Sequence, residues 1–242
     1  MKYAIVSDIH GNWEAFSAVL EDLETEGISN RFCLGDVVGY GADPVKCVDY
    51  LMQNDWNVIA GNHDEAISFP ELLDVFSPLA REGVIFSTLE LEAHHKTWLS
   101  ELPHIIKGTH FELVHASLFE PLLWDYVVDN QAARRHFALQ QCNLAFCGHT
   151  HVPKVWKKNK RISSHSPGAR RMRLRPEVKY LINVGSVGQP RDRDPKACYV
   201  VFDAETQTVE FRRITYDVAQ AQAKIRAAGL PEKLAKRLKT GR

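Results

Sequence analysis

Seven side chains that can bind a metal ion fall in five short clusters between residues 8 and 151: Asp8-x-His10, Gly35-Asp36, Gly61-Asn62, His115 and Gly148-His149-x-His151. Together they offer two carboxylates, four imidazoles and one amide oxygen. Mixed nitrogen and oxygen ligation suits manganese, iron, zinc, nickel or cobalt better than calcium, which takes oxygen throughout. No cysteine belongs to any cluster, so no sulfur ligand is implied. Seven ligands exceed what one ion uses while leaving positions open for water and substrate, so two ions bridged by a carboxylate account for the set better than one. Taken singly, each residue has an ordinary alternative. An Asp after a strand commonly caps a turn, and a lone His is commonly a core or surface residue. The weight lies in the ordered set.

The elements that must position these residues are legible as a repeated local pattern. A short apolar run, too short for a helix, ends in each cluster: Tyr3–Val6 before Asp8, Arg31–Leu34 before Asp36, Asn57–Ala60 before Asn62, Phe111–Val114 before His115, and Leu144–Cys147 before His149. Open α/β sheets place their binding crevice at the carboxyl ends of strands, where these clusters fall. Residues two apart share a face on an extended strand, but past its end Asp8 and His10, or His149 and His151, can diverge toward different ions. The glycines at 35, 61 and 148 fit sharp turns with close backbone approach.

Helical spacing separates the early strands. Asn12 reads as an N-cap before Trp13, Phe16, Val19, Leu20 and Leu23, and Asp43-Pro44 opens a second helix. Residues 66–105 lack strand signal and read as a helical cover, with Ser87 and Glu90 matching a capping box. Strands are predicted at 152–156, 179–184, 197–203 and 207–213 without intervening helices. A polar C-terminal helix is predicted at 216–239, broken near Gly229-Leu230-Pro231. Parallel βα units followed by an antiparallel meander predict an α/β fold of two packed sheets flanked by helices, in one domain over residues 1–242.

Composition bounds the function. Lys+Arg and Asp+Glu are both 30, so the net charge is zero and no general attraction to nucleic acid or membrane follows. No stretch approaches membrane-spanning length, and the five cysteines are odd in number with no CxxC spacing, which points to a reduced, cytoplasmic chain. The basic stretch 157–178 reads as a hairpin loop around Ser166-Pro167-Gly168. It carries no aromatic between Lys157 and Arg175 to stack bases, so a solvated loop is favoured over a nucleic-acid contact.

The five clusters, in this order, resemble the calcineurin-like metallophosphoesterases, and most of all their small bacterial and archaeal phosphodiesterases. The resemblance spans residues 3–151, and Asn183-Val184-Gly185-Ser186 resembles the family's closing segment, with Val184 where many relatives have proline. It implies a four-layer α/β/β/α sandwich. It also implies that Asp8, His10 and His151 bind one divalent ion, that Asn62, His115 and His149 bind the other, and that Asp36 bridges them. The implied activity is hydrolysis of a phosphate ester, diester favoured over monoester, on a phosphorylated small molecule or nucleotide-like substrate.

Two cations roughly 3.5–4 Å apart lower the pKa of a shared water and give a hydroxide that attacks in line, with no covalent intermediate. His63 completes neither ion's shell, and the resemblance gives it the role of protonating the leaving oxygen or stabilising the transition state. Asp64 beside it is expected to hold the imidazole's tautomer. Tyr40 is a candidate pocket residue, an ordinary turn aromatic being the competing reading. Arg191 is a candidate phosphate contact, against which an ion pair with Asp192 or Asp194 is the commoner outcome. The rival functions are a non-catalytic protein-interaction scaffold on the same fold, which would not require His63, and a nuclease acting on nucleic-acid ends.

Overall fold

The computed structural model describes residues 1–167 and 171–242. The chain opens with β1 (Lys2–Val6), α1 (Trp13–Thr25), β2 (Asn30–Cys33), α2 (Pro44–Gln53) and β3 (Trp56–Val58). Helical cover follows as α3 (Asn62–Ser68), a 3-10 segment Pro70–Val75, α4 (Pro78–Glu90) and α5 (Ala93–Ser100). Then come β4 (Ile105–Lys107), β5 (Glu112–Val114), α6 (Asn130–Leu139) and β6 (Leu144–Cys147). The remaining strands are β7 (Lys154–Lys158), β8 (Ile162–His165), β9 (Arg171–Arg173), β10 (Lys179–Asn183), β11 (Ala197–Asp203) and β12 (Thr208–Ile214), before α7 (Val218–Ala227) and α8 (Glu232–Thr240).

Two six-stranded sheets result, in the orders β3-β2-β1-β11-β12-β9 and β4-β5-β6-β10-β7-β8. β1, β2 and β3 are parallel, as are β5, β6 and β10, while β11, β12 and β7 pair antiparallel. The central strands are apolar on both faces because both faces are covered. Ala4 and Val6 of β1 pack with Phe16, Val19 and Val48 from α1 and α2, whereas Ile5 joins the core between the sheets. In β6, Leu144 and Phe146 face that inter-sheet core, and Ala145 and Cys147 meet Ala133 and Phe137 of α6. The sheets therefore pack face to face with helices outside, as expected. Among the described residues no helix is long and apolar enough to cross a membrane.

Several local expectations hold and others are corrected. The Asn12 side chain caps α1, accepting from the Ala15 N–H at 3.1 Å, and its amide donates to the Gly188 carbonyl at 2.8 Å. Ser87 is not an N-cap: it lies inside α4, fully buried, where its hydroxyl donates to the Gly83 carbonyl and accepts from the Gly39 N–H. The cap of α4 is Ser77. The basic stretch is not one hairpin. β7 and β8 form a hairpin, but β9 pairs with β12 of the opposite sheet, where Met172 packs against the inter-sheet core. Of the expected tip, Gly168 lies outside the described residues. The C-terminal helix divides at Gly229, whose φ of +71° ends α7, and Pro231 precedes α8.

The inter-sheet core contains a cluster of aromatic rings, with Phe146 in edge contact with Phe111 at 5.6 Å and tilted against Phe202 at 6.1 Å. Phe146→Ala is expected to cost about 3–5 kcal/mol in urea unfolding. A loss below about 1 kcal/mol would mean that this layer does not hold the sheets together.

Candidate metal centre

All five clusters meet at one end of the two sheets. Asp8 and His10 follow β1, Asp36 follows β2, and Asn62 opens α3 directly after β3. His115 follows β5, and His149 and His151 follow β6. Each turn is sharp: Asp8, His10, Asp36, His149 and His151 all have left-handed φ between 51° and 66°, as does Tyr40 at 58°. Such conformations cost non-glycine residues about 1–3 kcal/mol each, and they cluster where a site over-determines them. The glycines serve contact between chain segments. A Cβ on Gly61 would collide with the carboxylate and N–H of Asp36, and one on Gly148 with Ser7 and the Asp8 carboxylate.

Asp36 stands at the middle. Its Oδ2 lies 3.6 Å from His10 Nε2 and 3.4 Å from His115 Nε2, while its Oδ1 accepts the His63 N–H at 2.9 Å. Ligand atoms of Asp8, His10, Asp36 and His151 form one compact group, and those of Asp36, His115 and His149 form a second. Within the first, His151 Nε2 is 3.3 Å from Asp8 Oδ1 and 3.2 Å from His10 Nε2. Within the second, His115 Nε2 is 3.2 Å from His149 Nδ1. Asp36 is the residue that the two groups share.

The donor chemistry fits bound cations. His10, His115 and His151 donate their Nδ1–H to the carbonyls of Val38, Leu34 and Gln189, at 2.9, 2.7 and 2.6 Å. Each Nε2 is then left as a bare lone pair in the neutral ring. At 3.2 Å, the Nε2 atoms of His10 and His151 face each other as two acceptors, which is unfavourable unless positive charge lies beside both. Asn62 Oδ1 is buried with no hydrogen-bond partner among the described residues. Such atoms cost free energy unless a ligand satisfies them.

Burial and mutual charge set the titrations. Burial pushes the Asp8 carboxyl up to about 7. Burial also works on Asp36, but His115, His63 and His10 outweigh it and hold that carboxyl well below its usual range. Desolvation opposes charging of His115, yet the Asp36 carboxylate carries it up to about 9. Burial lowers His63 to about 4 and His10 well below its ordinary value, so both rings are neutral at pH 7.

A cavity of about 420 Å³ opens beside the centre, with Asn62, His63, His149, Tyr40 and Arg191 in its wall. Tyr40 lies 4.6 Å from the ring of His10 and 4.7 Å from that of His63, so it is a pocket residue. Arg191 also faces the pocket, donating to Tyr40 Oη at 3.2 Å and Gln189 Oε1 at 3.0 Å. The expected ion pair does not form because Arg213 holds Asp192 and Asp194. Asp64 needs a second correction. It does not hold the His63 ring: its Oδ1 accepts from the Val37 and Val38 N–H groups and its Oδ2 from Gly61, leaving His63 Nδ1 buried without a partner among the described residues. Asp64 instead pins the loop after β2 to the start of α3.

Sequence reasoning missed much of the wall, including Phe76, Trp124, Tyr126 and Arg237. Tyr126 stacks on His149 at 4.1 Å and Trp124 lies edge-on to His115 at 5.7 Å. Neither lies near a ligand cluster in sequence, so no local signal marks them. The remaining histidines stay outside the centre. His95 accepts from the Glu92 N–H and bonds Asp49, and buried His136 accepts from the Leu118 N–H at 3.1 Å.

Comparison with known proteins agrees with this geometry. A family model for the calcineurin-like phosphoesterase superfamily domain matches residues 1–207. An uncharacterized protein of Methanocaldococcus jannaschii is 37% identical over 243 residues, covering 99% of this chain and 98% of its own. The crystal structure of a metallophosphoesterase from Sphaerobacter thermophilus superposes with TM-score 0.87 at 35% identity, covering 100% of this chain and 99% of that one. A hypothetical protein from Pyrococcus horikoshii shares the fold at TM-score 0.78 and 21% identity, over 100% and 98% of the two chains.

In the metal-free protein, Asp8 and His115 hold protons more tightly folded than unfolded, so their stabilisation is lost as pH rises through about 7 and about 9 respectively. A cation competes with those protons, so its effect has the opposite sign. Added Mn²⁺ at a hundredfold excess over Kd should stabilise the fold by about 2.7 kcal/mol, or roughly 5–10 °C for a chain of this size. At one fixed Mn²⁺ concentration the shift should be larger at pH 8 than at pH 5.5, because Kd falls as the competing protons leave. A shift independent of pH, or none, would remove these residues from the ligand set.

Proposed function

The chain belongs to the calcineurin-like phosphoesterase superfamily, and from that premise we propose that it hydrolyses phosphodiesters at a centre of two divalent transition-metal ions. The observation that carries this reading is the position of Asp36 Oδ2, nearly equidistant from His10 of one ligand group and His115 of the other. Asp8, His10 and His151 would hold one ion, and Asn62, His115 and His149 the other, with Asp36 available to both. Ions bound there would lower the pKa of a water for attack on phosphorus and offset charge on the phosphoryl oxygens. Manganese heads the candidates, with iron, zinc, nickel and cobalt equally compatible with the donor set.

The protein's own groups supply the rest. His63 lines the cavity as a neutral ring. A neutral imidazole cannot deliver a proton from an imidazolium, but it can donate an N–H to the leaving oxygen as charge develops there. That supports the transition-state role over the acid role. Asp64 acts as a positioning residue by fixing the turn that carries Asn62 and His63. Arg191 presents a guanidinium fork suited to phosphoryl oxygens. Direct hydrolysis is favoured because no activated protein nucleophile is at hand: Ser7 is fully buried, and burial pushes the Cys147 thiol up to about 12. Diester over monoester is supported by the size of the cavity, about 420 Å³, which exceeds what one phosphoryl group needs. All five cysteines are free, as a reducing cytoplasm would leave them.

The test is hydrolysis of bis(p-nitrophenyl) phosphate against p-nitrophenyl phosphate, metal-stripped and with Mn²⁺, Ni²⁺ or Zn²⁺ restored. Turnover should return with metal and favour the diester. His63→Ala should lower kcat by about 10²–10³ while retaining both ions, and Asp36→Asn should lose metal as well as activity. Two tightly bound ions with no turnover of either ester would instead support a scaffold.

A further inference from the structure

Arg191 and Arg237 enter the cavity from segments that the ligand clusters do not use. Arg191 lies in the loop after β10, and Arg237 comes from α8, beyond the residues that the family model matches. Several other arginines are paired with acids, among them Arg212 with Asp22, Arg213 with Asp192 and Arg226 with Glu232. The cavity that holds Arg191 and Arg237 has no carboxylate among its described lining residues. Arg191 Nε is moreover buried with no hydrogen-bond partner there.

Two guanidinium groups sharing one cavity without a counter-charge repel each other. Burial and the Arg191 charge pull Arg237 below its ordinary pKa, yet guanidinium remains charged at neutral pH. The arrangement is held from behind. The Arg193 N–H donates to the Gly241 carbonyl at 2.8 Å, tying the Arg191 loop to the end of α8. Leu234 and Leu238 of α8 pack with Ile225 and with Tyr40, which itself accepts from Arg191. A pre-organised pair of fork donors with no acid to satisfy it is suited to an anion.

We propose that Arg191 and Arg237 form an anion subsite for a second phosphate on the substrate, beyond the one cleaved at the metals. This rests on the phosphodiesterase reading above and narrows it to phosphate esters that carry a further phosphate. A simple diester with a single charge leaves the pair unanswered. Trp124 and Tyr126 offer aromatic walls for a flat organic group between or beside the two phosphates.

Binding of matched ligands to the manganese-loaded full chain tests the subsite without requiring turnover. Thymidine 3′,5′-bisphosphate would be compared with thymidine 5′-phosphate, and ADP with AMP, by calorimetry. In at least one pair the second phosphate should tighten binding by about tenfold or more, the range for charge-assisted hydrogen bonds. Arg237→Ala should erase that preference and Arg237→Lys retain part of it. An Arg237→Ala variant that weakens mono- and bisphosphate equally would place Arg237 at the scissile phosphate and overturn the proposal, as would no preference in either pair. Hydrolysis of bis(p-nitrophenyl) phosphate by the unmodified protein is scored separately. Its absence, beside an Arg237-dependent preference, would remove the phosphodiesterase reading and leave the subsite standing.

Discussion

Lone pairs of His10 and His151 face each other 3.2 Å apart in a water-poor interior, next to the carboxylates of Asp8 and Asp36. Without positive charge this is among the costliest arrangements a fold can hold. The remainder of the site is built to keep it in place. The Nδ1–H groups of His10, His115 and His151 are committed to carbonyls at Val38, Leu34 and Gln189, so no ring can turn over to relieve the repulsion. Those carbonyls belong to loops after β2 and β10, which means that the imidazoles are fixed by segments distant from their own. Protons relieve the cluster in part, through Asp8 and His115, and bound cations would supply positive charge at the same place.

The division of ligands between the sheets has a mechanical consequence. Asp8, His10, Asp36 and Asn62 come from the first sheet, while His115, His149 and His151 come from the second. Each ligand group draws on both, so bound cations would cross-link the sheets at the rim of the inter-sheet core. That core must already hold the two halves in register, since Asp36 of one meets His115 of the other at 3.4 Å. The apolar packing of Phe111, Phe146 and Phe202 below and the left-handed turns above are thus parts of one device. The sheets' burial offsets the strain of the turns, and the turns aim the ligands.

How far the sequence discloses this depends on which side chains act locally. The ligand clusters are legible because strands buried on both faces read as short continuous apolar runs, and the residue types that follow are unusual there. Roles that depend on distant partners are not. Asp64 adjoins His63 in sequence, but its carboxylate is drawn under the loop after β2 by three backbone N–H groups. Arg191 adjoins Asp192, yet Arg213 on β12 takes that acid first. Ser87 and Glu90 carry a capping-box pattern within α4, where the hydroxyl serves the Gly39 turn instead. In each case a tertiary partner outcompetes the neighbour that the sequence offers.

The chemistry and the selectivity of this protein then have different physical addresses. The seven ligands proposed for the centre lie at or just past strand ends of the two sheets, within the residues that the family model matches. The cavity wall is completed by later and less regular segments, among them Tyr126 and Arg237. Tyr40 joins the two regions. One side of its ring meets His10 and His63, and it also belongs to the apolar cluster of α7 and α8. A substitution in α8 that shifts Tyr40 would therefore reach the metal centre through packing alone, without touching a ligand. A fold that supports one hydrolytic centre can change its substrate at such a wall while leaving the centre intact, because only Asn62 and His149 among the wall's described residues are ligand candidates and α8 supplies none.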